Sequence, residues 1–156
     1  MSIIKYMVKI PLYIAFCVAL IFVSLSTPYS PRLEMLGSGE FAIYSREYVM
    51  SPLVTRRIES GLGFIYFTHS ANAQRLRAKF THIDGESITL DHHKPTRDIL
   101  RKLGYRSVAS NKPNIYYGFS SRATVFIRNG NTRINLQIAQ RNGVTTVGWP
   151  VILGSF

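Results

Sequence analysis

Two Asn-Gly pairs in the last third of the chain, Asn129-Gly130 and Asn142-Gly143, restrict the fold more than any other feature. Each lies between runs rich in β-formers, and an Asn-Gly pair supplies the two consecutive left-handed residues that a type I′ hairpin turn requires. Taken as two-residue loops, they set Val125 opposite Ile134, Ala123 opposite Leu136, Ile138 opposite Val147 and Leu136 opposite Trp149. Every one of these pairs is apolar. The opposite face then collects Phe126, Arg128, Arg133, Asn135, Gln137 and Thr145, and a slip of one residue would exchange the two faces. The spacing therefore predicts a three-stranded antiparallel meander. Pro150 limits pairing beyond it, so the apolar tail Pro150 to Phe156 is expected to pack back as an edge or cover.

Upstream, Phe41, Ile43 and Tyr44 suggest a short strand. Ser51-Pro52 has the form of a helix start, with Leu53, Val54 and Ile58 on one face and Gly61 as the stop. Phe64 to Thr68 suits a strand. Ala71 to Phe80 fits a helix through Ala73, Leu76 and Phe80 and a strand through Leu76, Ala78 and Phe80, its start leaning helical. Asp84-Gly85 marks a turn before a strand over Ser87 to Leu90. A helix opens at Pro95, with Asp98 in its first turn, Ile99, Leu100 and Leu103 on one face, and Gly104 as terminator. Tyr105 to Ala109 and Ile115 to Phe119 return as extended structure. The fold class expected is α+β: an antiparallel sheet ending in the meander, with two or three short helices on one face.

A separate segment precedes this domain. Lys5 and Lys9 lead into sixteen uncharged residues, Ile10 to Leu25. A bilayer span needs about 20 apolar residues, and Tyr6, Met7 and Val8 extend the run while Lys9 can snorkel. The segment also has the parts of a cleaved signal peptide, with Ser24 and Ser26 as a poor small-x-small site. Either way the charge bias leaves the amino terminus in the cytoplasm and the domain outside. The poor cleavage site favours a single-pass anchor in the cell membrane, with secretion after cleavage as the alternative. The expected organisation is 1–25 anchor or signal, 26–40 linker punctuated by Pro28, Pro31, Gly37 and Gly39, and 41–156 extracytoplasmic domain. Cys17, the only cysteine, lies within the apolar run, so the exported part has no disulfide and depends on its core. That usage fits a bacterial surface.

Nineteen Lys and Arg face eight Asp and Glu, and all but Lys5 and Lys9 of the former follow the apolar run. Such a balance implies attraction to anionic surfaces: the partners expected are a lipid headgroup, an anionic envelope polymer or a protein partner, with nucleic acid disfavoured. Tyr116, Tyr117, Phe119 and Arg122 form an aromatic and basic run, and Arg128 and Arg133 flank a hairpin turn on its polar face. The binding residues singled out are Tyr117, Arg122, Arg128 and Arg133, able to stack on rings or pair with anions.

His82, Asp84, Glu86, Asp91, His92 and His93 are the one cluster of catalytic or metal-binding types, within twelve residues. His82, Asp84 and Glu86 would alternate onto one face of a continuous strand, a continuity that Gly85 threatens. No nucleophile elbow, phosphate loop, dinucleotide fingerprint or zinc spacing occurs. No metal, cofactor or catalytic residue is therefore assigned, and a non-catalytic module is favoured over an enzyme.

Gly85-Glu86-Ser87, Asn135-Leu136-Gln137-Ile138-Ala139 and Val147-Gly148-Trp149-Pro150-Val151-Ile152 give residues 85–156 a resemblance to the YwmB-like family of secreted or membrane-anchored Gram-positive proteins. The resemblance implies a curved antiparallel sheet with helices, of the kind compared with TATA-binding-protein-like folds. It implies no reaction and no catalytic residues. The functional expectation is a binding or structural module at the cell surface with a preference for anionic partners. The alternative is an envelope-directed hydrolase using the acidic and histidine cluster at 82–93.

Overall fold

The computed structural model describes residues 30–110 and 112–153. The apolar run Ile10 to Leu25 lies outside them, and among the described residues no helix is long and apolar enough to cross a membrane. Within them the chain is α+β: an eight-stranded antiparallel sheet with two short helices and a separate two-stranded ribbon.

The chain enters through a 3-10 turn, Leu33–Leu36, and runs into β1 (Gly39–Ser45). Leu33 and Leu36 are buried in the main core, so the stretch expected as linker is structured from here on and the fold begins before Phe41. β2 (Arg56–Ser60) and β3 (Gly63–His69) follow as a hairpin closed by Gly61 and Leu62. This corrects the helix expected over Ser51 to Gly61. Ser51 instead caps a single turn, accepting from Leu53 N–H at its hydroxyl and from Val54 N–H at its carbonyl. Thr55 N–H then donates to the Phe67 carbonyl, and pairing with β3 overrides the local helical spacing.

A 3-10 turn, Ser70–Asn72, leads to helix α1 (Ala73–Arg77), and β4 (Gly85–Leu90) pairs with β1. Helix α2 (Thr96–Leu103) keeps the expected signals: it ends at Gly104, whose φ of 72° is the left-handed conformation a glycine adopts freely. β5 (Arg106–Val108) and β6 (Ile115–Phe119) pair with each other, and β6 pairs with β9 (Leu136–Arg141). β9 and β10 (Val144–Trp149) form the hairpin expected at Asn142-Gly143, with Ile138 opposite Val147 and positive φ at both turn residues.

The first Asn-Gly pair behaves otherwise. β7 (Ile127–Asn129) and β8 (Thr132–Ile134) pair Asn129 with Thr132, so the two-residue loop is Gly130-Asn131 and the register lies two residues from that expected. Ile127, not Val125, faces Ile134. The ribbon stands apart from the main sheet, and the neighbour of β9 is β6, so the three-stranded meander is only half realised. The break falls at Asn135, whose side-chain amide exchanges hydrogen bonds of 2.9 and 2.8 Å with the backbone of Ser120.

The sheet order is β2-β3-β1-β4-β10-β9-β6-β5. Alternation sends Phe41, Ile43, Tyr66, Ile88, Leu90, Leu136, Ile138, Val147 and Trp149 to one face, where Leu33, Leu36, Leu76, Ile99, Leu100 and Leu103 from turns and helices complete the core. Among the described residues no helix packs on the other face. There Ala42, Ile65 and Phe67 form a small cluster with Tyr44 and Leu153, and the tail folds back with Ile152 N–H on the Gln137 side chain.

Candidate anion-binding surface

Charge is divided unevenly along this fold. From Thr27 to Asp98 nine basic residues meet eight acidic ones, whereas beyond Asp98 eight Lys or Arg meet no Asp or Glu. The strands β5, β6, β9 and β10 and the β7–β8 ribbon all come from that second stretch. Half of the sheet therefore carries positive charge that no carboxylate of its own sequence offsets.

The ribbon concentrates it. Its register sets Arg128 directly opposite Arg133, both exposed, where cross-strand neighbours have Cβ atoms about 5 Å apart. Like charges so placed repel. Phe126 supplies one compensation, its ring centroid 4.7 Å from the Arg133 guanidinium, a cation–π contact that fixes the side chain but leaves its charge in place.

A second pair of arginines meets at a groove of about 340 Å³ lined by Gly104, Arg106, Phe119, Ser120, Ser121 and Arg122. Arg106 pairs across the β5–β6 ladder with Phe119 and stacks over its ring at 4.9 Å. Arg122 is placed by the turn after β6: its N–H donates to the Ser120 hydroxyl, and Ala123 N–H donates to the Ser120 carbonyl. Asn135 anchors that turn from below. Guanidinium forks and serine hydroxyls around an open groove offer donors to a phosphate or carboxylate.

Of the four binding residues expected from sequence, Arg128 and Arg133 are thus brought together, and Arg122 joins a groove. Tyr117 is buried, facing Gln137 and Val108 across its neighbouring strands, and offers little surface to a ligand. Arg106 was not among the residues expected. Its partnership with Phe119 depends on the β5–β6 register, which the Pro113-Asn114 turn just before β6 does not set by itself because the connection from Val108 is six residues long.

The acidic and histidine cluster is dispersed. Asp84 precedes β4 and Asp91 follows it, seven residues of extended chain or about 23 Å apart. His82 pairs with Asp84 at 3.3 Å on the surface, while His92 and His93 are exposed beyond the far end. Glu86 points into the covered face with no exposed surface. Arg77 holds it there through bonds of 2.6 and 3.0 Å, and the same guanidinium donates to both oxygens of Glu34 at 3.0 and 2.9 Å. Ser30 adds a hydroxyl bond to Glu86 at 2.9 Å. Burial raises the Glu34 pKa, but the bonds from Arg77 and its own backbone, with the charges of Arg77 and Arg32, outweigh it and leave the carboxyl below its usual 4.5. The network is occupied with itself, tying the entering chain to α1 and β4. Among the described residues no three His, Cys, Asp or Glu side chains gather to hold a metal ion.

The chain matches no protein-family model, and it shows no significant similarity to a curated protein or to a solved structure.

Proposed function

We propose that this protein is a non-catalytic binding module, held outside the cell membrane by its N-terminal apolar segment, that recognises phosphate groups of anionic envelope material. The observation that carries this reading is the Arg128–Arg133 pair, two like charges set opposite each other with no acid in the surrounding sequence. An exposed pair of this kind is destabilising by a few tenths of a kcal/mol to about 1 kcal/mol, a cost that an anion bridging the two guanidinia reverses. Arg106 and Arg122 add a second contact, so a polymer or a layer of headgroups would engage both. Glu86 is buried in its ion pair with Arg77, and His92 lies past the opposite end of β4 from Asp84, which favours binding over the hydrolase alternative. The resemblance to YwmB-like proteins accords with an exported module and adds no chemistry.

Fluorescence anisotropy of labelled polyphosphate titrated with the full chain in nonionic detergent tests the reading. Affinity should fall steeply with salt, and Arg128→Ala/Arg133→Ala should reduce the slope of log K against log salt by about 1 to 2, as expected when two phosphates are no longer neutralised. An affinity indifferent to salt, or to both substitutions, overturns it. Anionic against zwitterionic nanodiscs, run beside poly(glycerol phosphate), separate a headgroup from a polymer as the source of phosphate.

A further inference from the structure

The uncovered face holds a second place where charge, hydroxyls and apolar walls converge, on the half of the sheet away from β5, β6 and the β7–β8 ribbon. There Glu40, Arg56, Phe67, Ser87 and Thr89 of four adjacent strands surround a cavity of about 150 Å³, and Leu153 of the returning tail forms another wall. Arg56 lies over the Phe67 ring at 3.9 Å, a stack that holds the guanidinium in place whatever Glu40 does. Its contact with Glu40 is long, at 3.5 Å, and the two side chains are 54% and 53% exposed. Such a pair contributes at most about 1 kcal/mol and opens easily. Ser87 is buried and lines the cavity. The Thr89 hydroxyl shares one bond of 3.2 Å with Thr146.

A lone anion at Arg56 would meet repulsion from Glu40, and a lone cation at Glu40 would meet Arg56. A molecule carrying both charges satisfies both residues with shorter contacts than they make to each other, and the Ser87 hydroxyl lining the cavity can bond its carboxylate. Phe67 and Leu153 leave room beside these groups for a small apolar substituent. We infer that the cavity binds a small zwitterion of the α-amino acid class, its carboxylate on Arg56 and its ammonium on Glu40. The volume corresponds to about five waters, which suits glycine or alanine better than a large aromatic amino acid. The site uses different strands and different residues from the phosphate surface, and neither depends on the other.

Isothermal titration calorimetry of the full chain in nonionic detergent, with glycine, alanine, tryptophan, acetate and methylammonium, tests it. Glycine and alanine should bind at least about tenfold more tightly than acetate or methylammonium, and more tightly than tryptophan. Arg56→Gln should abolish amino-acid binding. Glu40→Gln should weaken glycine about tenfold while strengthening acetate, because Arg56 loses its competitor. Both residues are half exposed, so the variants keep their folds, which far-UV circular dichroism checks. Absence of heat for glycine and alanine, equal affinity for glycine and acetate, or binding unchanged in both variants would overturn the inference.

Discussion

Glu86 has no exposed surface, and a carboxylate there is tolerable because Arg77 and Ser30 between them occupy both of its oxygens. Replacing Arg77 strands that charge and releases Glu34 with it. Arg77→Ala is therefore expected to cost about 3 kcal/mol in urea denaturation, at the low end for a buried pair because Arg77 and Glu34 keep about a fifth of their exposure. Glu34 also gives stability a pH dependence. Its folded pKa lies below its ordinary value of 4.5, so its contribution is fully present above that value. The contribution is lost as pH falls through the lower folded pKa. Glu47 acts with the same sign: the Thr81 backbone N–H holds its carboxylate low against the opposing effect of burial, and the His82 backbone N–H adds to it. Urea midpoints measured from pH 7 down to pH 3 should decline mainly below about 4.5, and Arg77→Ala should flatten that decline.

The hairpins show how far local signals carry at the scale of an element. Asn142-Gly143 was fully legible, since only one two-residue loop is available there and its register buries Ile138 and Val147 together. At Asn129-Gly130-Asn131 two overlapping loops compete, and the chain uses Gly130-Asn131. Asn135 then bonds Ser120 rather than extending β8 into β9, a contact fifteen residues away that no turn rule contains. The same limit explains β2, whose helical spacing yields to pairing with β3. It also explains why Arg128 and Arg133 were recognisable as candidates while their direct opposition was not. Two glycines separate backbone cost from packing cost. Gly143 has φ of 77° and open space where a methyl would sit, so Gly143→Ala should cost about 1 kcal/mol through the left-handed backbone alone. At Gly118 a methyl would lie 2.8 Å from Leu100 Cδ2 and 3.2 Å from Leu136 Cβ, where α2 meets the sheet. Gly118→Ala should cost about 1 to 3 kcal/mol by overpacking, and thermal melts of the two variants should rank accordingly.

Across the whole molecule, one face of the sheet is covered by helices and turns, and the other is left for the tail and for side chains that bear charge. The covered side includes the entering chain. Leu33 has no exposed surface, so Leu33→Ala should lose about 3 kcal/mol, whereas a linker residue would tolerate the change. Pro31, Gly37 and Gly39 do mark irregular backbone around the 3-10 turn, but irregular backbone is not the same as an unpacked one. Charge asymmetry is the other molecular property: it was present in the composition as a sum, and only the sheet order gathers the acid-free stretch into one half. Thermal unfolding of the full chain, with and without tripolyphosphate, compared between the native protein and Arg128→Thr, bears most directly on that surface. Without the anion, Arg128→Thr should melt at the same temperature or higher, because a repulsion is relieved; with it, the upward shift seen in the native protein should largely disappear. A variant that melts lower and keeps the full shift would contradict an anion held between Arg128 and Arg133.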